Sequence, residues 1–422
     1  MSLQGSDRNP DPHPDEALAR SLLSAHAVRE RANMILAATL DGNVAELSVD
    51  LDRLENAADL VAETTRAAYP DLVVPPHSRF RHFSAGGHDR FGAIAAARGW
   101  TDPRGAARAA ADLAIVSVLL DAGAGPDWVY REGLTGEAYS RSEGLAVASV
   151  AMFVSGLFSA VPADPLRADA ISLATLATEE LSAGFKVKPG NPLAGLDGRA
   201  DLMRRLGIAC ADRDDVFAME DEPRPGGIVD ALVARAEGGQ LPAAEILALV
   251  LDALGPIWPS RLVLAEVPLG DTWRHPAINT DDITTGLVPL HKLSQWLSYS
   301  LLEPLGWAGV EVVELDGLTG LAEYRNGGLF LDTGVIRLTD PADAERTHAV
   351  GSSLIVGWRA LTVALIDRLA PLVRTRLGLD AESLPLAAVL EGGTWAAGRR
   401  IARTLRHDGG PPLKIESDGT VF

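Results

Sequence analysis

LVPLHKLSQWLSYSLLEPL, from Leu287 to Leu305, is the stretch whose periodicity decides the fold class. Leu290, Leu293, Leu297 and Leu301 recur at three- and four-residue spacing, which lays an apolar stripe along one side of a helix. From Lys292, the residues Gln295, Trp296, Tyr299 and Glu303 follow at offsets of three, four, seven and eleven, on roughly the opposing face. A solvated surface accounts for Lys, Gln and Glu but not for Trp296 and Tyr299 among them. An aromatic floor carrying a cation and an amide suits the stacking and orientation of a small polar ligand.

The same spacing spreads outward over most of the chain. Asp50 reads as the N-cap of a helix carrying Leu51, Leu54, Ala58 and Val61 that ends before Tyr69-Pro70, and a second helix follows Pro103 with Gly123 as its stop. Further helices are expected over 143–159, 165–183, 243–254, 290–302, 346–377 and 384–406. Strand signals are few. Val310–Leu315 alternates, Asn326-Gly327-Gly328 reads as the turn before LFLDTGVIRL, and Asp418-Gly419 marks a terminal hairpin. The expectation is a mainly α, multi-helical globular body with a small β-hairpin or sheet element. Residues 1–16 read as a disordered leader or cloning remnant and 17–422 as a single helical enzyme body, with 211–227 as the place where two lobes would meet.

Composition narrows the function classes. Hydrophobic residues make up 47% of the 422 and charged ones 23%, the profile of an ordinary globular protein. With 38 basic and 57 acidic side chains the formal charge is −19, so the molecule's field disfavours nucleic acid and anionic membrane, and a phosphorylated ligand needs a local cationic pocket. Cys210 is the single cysteine, so neither an intramolecular disulfide nor a thiolate zinc cluster can form; a reducing, cytoplasmic setting is expected. Gly144 to Ala163 carries no charge, but its Ala, Ser and Gly content reads as a central core helix rather than a membrane span.

Three constellations carry chemistry. PPHSRFRHFSAGGHDR, Pro75 to Arg90, gathers Arg79, Arg81, Arg90, His77, His82 and His88 beside Gly86-Gly87, so it can grip a phosphate; alternatively its arginines simply pair with nearby carboxylates. The Leu290–Leu302 helix supplies Lys292, Gln295 and Trp296. LTGLAEYRNGG sets Glu323, Tyr324 and Arg325 before the Asn-Gly-Gly, either as a carboxylate with tunable protonation or as an exposed hairpin corner. Arg359, inside the apolar VGWRALTVALID, requires an anionic partner, and Glu391 with Trp395 sits beside paired glycines that weaken a helix. His275 with Asp271, or His77 with His82, are the alternative metal ligands, neither pair with a specific metal-site spacing. There is no GxSxG elbow, no P-loop and no GxGxxG after a strand.

PPHSRFRHF with Gly86-Gly87 and Arg90, then LVPLHKLSQWLSYSLLEPL, LTGLAEYRNGGLFLDTGVI, EGGTW and PPLKIESDGTVF together resemble the uracil-catabolism family of fungi and bacteria, over about Leu51 to Phe422. That resemblance implies work in a route converting uracil, by way of its ribonucleotide, to urea and a three-carbon acid. The order Lys292…Gln295, Glu323-Tyr324-Arg325, the helix around Arg359 and Glu391…Trp395 is similar to queuosine-phosphate N-glycosylases of the queuine-salvage family. This second likeness implies a DNA-glycosylase-like helical arrangement and an acidic residue before Tyr-Arg. That residue is Asp in the family and Glu323 here, and the Pro-Gln that follows there is Asn326-Gly327 here.

Together the resemblances imply hydrolysis of an N-glycosidic bond in a ribosyl 5′-phosphate whose leaving group is urea or an opened pyrimidine. The catalytic candidates are Glu323, Glu391, Lys292 and Tyr324. Arg79 and Arg325 would hold the phosphate, and His82, Gln295, Trp296, Arg359 and Trp395 would complete substrate binding. No cofactor is expected beyond the metal alternative. The expected partner is a small phosphorylated ribosyl substrate, with no nucleic acid and no membrane, and an oligomer is compatible. Competing readings are an amide or ureide hydrolase assisted by a metal, and an inert ligand sensor or scaffold of the same pathway.

Overall fold

The computed structural model describes residues 13–258 and 262–416. Helices dominate, and the strands form only small pairs. Ser353–Leu377 is the axial helix, capped by the Ser352 hydroxyl and buried along most of its length against the helices Ala25–Leu40 and Leu54–Ala68. Each Leu, Ile or Val it buries contributes roughly 1.5–3 kcal/mol, which is why its run of apolar residues can be almost continuous. A second buried helix, Pro103–Leu119, starts at Asp102, whose carboxylate accepts from the amides of Arg104 and Gly105. Arg141–Val154 packs beside it and accounts for the uncharged stretch after Gly144. Among the described residues no helix is long and apolar enough to cross a membrane.

Several boundaries differ from expectation for physical reasons. Asn326-Gly327-Gly328 is not a turn but lies inside the helix Tyr324–Asp332. The Trp358 ring lies where a Gly327 Cβ would stand, 2.7 Å away, and the Trp358 indole donates to the Gly327 carbonyl at 3.0 Å, so the glycine serves helix packing. Glu311–Val313 forms no hairpin with the chain after it; it pairs in parallel with the distant Gln240–Pro242. The expected 165–183 helix is two short pieces, Ala170–Ala174 and Thr178–Gly184, while 346–377 begins as the strand Thr347–His348 and turns helical only at Ser353. Asp418-Gly419 lies outside the described residues; the preceding Lys414–Ile415 pairs in parallel with Thr347–His348.

At the N-terminus, residues 1–12 of the expected leader lie outside the described residues, and Pro14, Asp15 and Glu16 belong to the helix Pro14–Ser21 rather than to a leader. The 211–227 stretch is pinned to the Pro103–Leu119 helix: Arg224 Nε donates to Asp112 at 2.8 Å and the Gly226 amide donates to the same carboxylate at 2.6 Å. One apolar cluster runs through both flanks of that stretch, from Ala25 to Leu413.

Candidate active site

Distant segments meet around a cleft of about 360 Å³. The sequence candidates Lys292, Trp296, Glu323, Tyr324, His82 and Trp395 line it together, joined by His77, Asp121, Arg141, Ser142 and Asp408. Lys292 opens the helix Lys292–Ser300, which starts where His291 takes a left-handed φ of 46° and passes a ring hydrogen bond to Leu22 O. The Lys292 amide donates to Asp271 at 3.0 Å, so a half-buried carboxylate fixes where the helix begins.

Glu323 is not at an exposed corner. It is the N-cap of Tyr324–Asp332, and its two carboxylate oxygens accept from the amides of Arg325, at 2.7 Å, and Asn326, at 2.6 Å. Each oxygen keeps a lone pair for a ligand. Burial pushes the Glu323 carboxyl up from its ordinary range against the pull of those amides, Lys292 and Arg325. Burial likewise brings the Lys292 ammonium down, opposed first by Glu323. The two groups thus hold each other's charge in a low-dielectric cleft, the setting in which a carboxylate can also take up a proton. Burial raises the Tyr324 phenol, which keeps its O–H as a donor, and the Arg325 guanidinium sits 4.9 Å over its ring.

The polar stripe read along this helix divides. Lys292 and Trp296 face the cleft, whereas Gln295 is buried, its amide donating to Thr319 Oγ1 at 2.8 Å, and the Tyr299 hydroxyl donates to Thr319 O at 2.9 Å. Gln295 therefore holds the backbone that leads to Glu323 rather than a ligand. Glu303 accepts from Ser78 and Arg81.

The expected phosphate grip from the Pro75–Arg90 segment is not built. Arg79 is fully buried, pairs with Asp121 at 3.2 Å, donates to Ser117 and lies 5.3 Å over the Trp296 ring. Arg81 pairs with Glu303 and Arg90 with Glu132, while Arg325 donates to Gly409 O at 2.7 Å. Burial favours such committed pairs, because an unpaired guanidinium inside the fold carries a large desolvation cost. What that segment does bring to the cleft is two imidazoles, and the cation at the mouth is Arg141, exposed and without an ion pair among the described residues.

Arg359 also turns inward, donating to Asp271 through Nη1 at 2.9 Å and Nη2 at 2.8 Å. Asp271 is further occupied by the Trp273 indole at 2.6 Å, and His275 Nδ1 accepts from the Ala277 amide. Asp271 is not open to a metal ion on this chemistry, because its lone pairs are taken by a guanidinium, an indole and a backbone amide, and no group of three His, Cys, Asp or Glu able to hold an ion occurs among the described residues.

Glu391 stands just off the cleft. It lies in a π-helical turn, Leu390–Thr394, inside the helix expected over 384–406, which runs without a break from Leu386 to Leu405. A Cβ on Gly393 would come within 2.3 Å of Val61, so the paired glycines let the turn press onto Leu54–Ala68. The Glu391 carboxylate accepts from His77 Nδ1 at 2.7 Å and from the Tyr69 hydroxyl at 3.3 Å. Burial would raise this carboxyl, but the His77 hydrogen bond and the surrounding positive charge outweigh it, and the net displacement is downward.

Burial and the nearby Arg79 charge pull His82 down from 6.5 to about 4, so it is a neutral imidazole near pH 7, its Nδ1 buried without a partner among the described residues. With the folded value below the unfolded one, the unfolded chain binds the extra proton first, and stability falls as pH drops from 6.5 toward 4. His82→Gln removes that contribution. Urea melts of both proteins at pH 7 and pH 4.5 should show the wild type losing on the order of 3 kcal/mol more than the variant. Equal losses would show that His82 does not titrate in this way.

Residues missed in sequence are informative. His77 had been grouped with His82 only for its charge and ligand potential. Asp121, which begins the loop Asp121-Ala122-Gly123-Ala124-Gly125-Pro126 along one cleft wall, was hidden behind the reading of Gly123 as a helix stop. Arg199 holds that wall by donating to the carbonyls of Leu120 and Ala122.

A mainly helical fold thus encloses a cleft in which a capped carboxylate and a lysine stand among aromatic side chains. The chain belongs to the family described as Protein of unknown function (DUF1688), whose model matches residues 21–422. It is similar to protein urg3 of Schizosaccharomyces pombe, 38% identical over 95% of this chain and 98% of that protein. It is also similar to uracil catabolism protein 4 of Lachancea kluyveri, 36% identical over 90% of this chain and 93% of the relative.

Proposed function

We propose that this protein acts in uracil catabolism as a hydrolase of an N-glycosidic bond in a ribosyl 5′-phosphate of the ribosylurea or opened-pyrimidine type. The relative named uracil catabolism protein 4 supports the pathway. The observation that carries the chemistry is Glu323, a carboxylate held by two backbone amides and facing the same cleft as Lys292. Loss of the leaving group gives positive charge at the sugar's anomeric carbon, and an anion held in place by two backbone amides stabilises that charge without reorganising. Glu323 then takes the proton of the attacking water. Lys292 and the Tyr324 hydroxyl orient the ribose hydroxyls, Trp296 and Trp395 pack against the sugar, and Arg141 at the mouth replaces Arg79 and Arg325 as the phosphate anchor.

Purified protein given ribosylurea 5′-phosphate is expected to release urea and ribose 5-phosphate. Arg141→Gln should raise KM about tenfold or more for that substrate and leave KM for unphosphorylated ribosylurea unchanged. Recovery of intact substrate from the wild type across pH 5–9 would end the glycosidase reading. An equal KM rise for both substrates would remove Arg141 from phosphate binding.

A further inference from the structure

Beside the cleft lies a second, solvent-open cavity, of about 460 Å³, bounded by Arg81, Glu143, Glu391 and Arg399. His77, His82 and Trp395 line both spaces, which adjoin along these side chains. Its polar groups are already in position: Arg399 pairs with Glu143 at 2.6 Å and Arg81 with Glu303 at 2.8 Å, while Glu391 takes His77 Nδ1 at 2.7 Å. The His77 ring stacks near Trp296, with centroids 6.1 Å apart and planes 21° apart, which fixes its orientation. Because a carboxylate can only accept, Nδ1 carries its proton toward Glu391, and Nε2 is left as the exchangeable position. Nε2 has no hydrogen-bond partner among the described residues.

We propose that this second cavity is the leaving-group pocket for a ureide, and that His77, oriented by Glu391, donates the proton the departing ureide takes up. The inference rests on the N-glycosidase reading, and it divides the substrate where the two spaces adjoin: sugar and phosphate lie with Glu323, Lys292 and Arg141, and the ureide lies on the Glu391 side of His77. Ureide N–H groups meet the carboxylate oxygens of Glu391 and Glu143, which suits a neutral, donor-rich group. In the reaction the bond from the anomeric carbon to nitrogen breaks and its electron pair leaves with the ureide, which receives the Nε2 proton of a His77 ring protonated on both nitrogens, while the Nδ1–H stays with Glu391. Water adds to the anomeric carbon and gives its proton to Glu323. Solvent exchange returns a proton to His77 and removes one from Glu323, so the sum is substrate plus water to ribose 5-phosphate plus urea.

The test uses two substrates, ribosylurea 5′-phosphate and 4-nitrophenyl riboside 5′-phosphate, whose nitrophenolate departs without protonation. His77→Gln is expected to lower kcat on the ureide about 10²-fold or more and to change kcat on the nitrophenyl compound by less than about threefold. Glu391→Gln keeps an acceptor for Nδ1–H and should show the same asymmetry at about tenfold; it decides the matter if His77→Gln does not fold. Activity of the wild type on neither substrate would remove the glycosidase reading and this role with it. Wild-type activity on both, with each variant slowing the two substrates alike or slowing neither, would leave the glycosidase reading standing and overturn the leaving-group assignment.

Discussion

Glu323→Gln is expected to lower kcat on ribosylurea 5′-phosphate by about 10³-fold with little change in KM, the largest catalytic effect of any single substitution in the cleft. The exchange preserves size and removes the charge that faces the developing cation. It also disturbs the cap, since an amide offers one acceptor where the carboxylate offered two, and either the Arg325 or the Asn326 amide then meets an N–H donor. That second effect costs about 1 kcal/mol of stability, so a thermal melt separates it from the kinetic loss. The nitrophenyl substrate should suffer as much as the ureide, because both pass through the same cation. Activity within tenfold of wild type on the ureide would remove Glu323 from the mechanism.

Why Glu323 could be nominated from sequence while its setting could not follows from what each signal depends on. The helices were legible because three- and four-residue periodicity is a local consequence of burying one face. Ala243–Leu254 was read to the residue, and Pro103 opens its helix as expected. Glycine was the point of failure. Asn326-Gly327-Gly328 has turn composition, but the contact that explains Gly327 is with Trp358 on another helix, and no local rule contains that contact. Gly392 and Gly393 mark the π-turn for the same kind of reason, their neighbours being Thr65, Val74 and Val61.

The site shows the same division between what is local and what is not. Residue type and order indicated that Lys292, Trp296, Glu323, Tyr324, His82 and Trp395 belonged together, and they share one cleft. Arginine misled, because a guanidinium reads alike whether it awaits a phosphate or a buried carboxylate; the partners of Arg79, Arg325 and Arg359 come from elsewhere in the chain. In a protein of net charge −19, a carboxylate within reach of any buried arginine is the common case. Arg141, without an ion pair among the described residues, carries no motif to distinguish it.

The Asp271–Arg359 pair yields the largest expected loss of stability. Arg359 is buried and the Asp271 side chain is only 13% exposed, and the pair is bidentate at 2.8 and 2.9 Å, so deleting Asp271 takes the opposite charge away from a guanidinium inside the fold. Burial alone would raise the Asp271 carboxyl, yet Arg359 and the hydrogen bonds outweigh it and hold it below its ordinary range. Asp271→Ala is expected to cost about 3–5 kcal/mol by urea denaturation. It should also lower kcat, because the Lys292 amide and the Trp273 indole lose the oxygens that fix them. Replacing both partners, as Asp271→Leu with Arg359→Met, removes the stranded charge and should recover more than half of that loss. It should not recover kcat, since the anchor at the start of the Lys292 helix stays missing. Stability and activity thus part company at this pair: a double variant that regains both would show that Asp271 is only the partner of Arg359, and one that regains neither would show that the charge pair is not what Asp271→Ala disrupts.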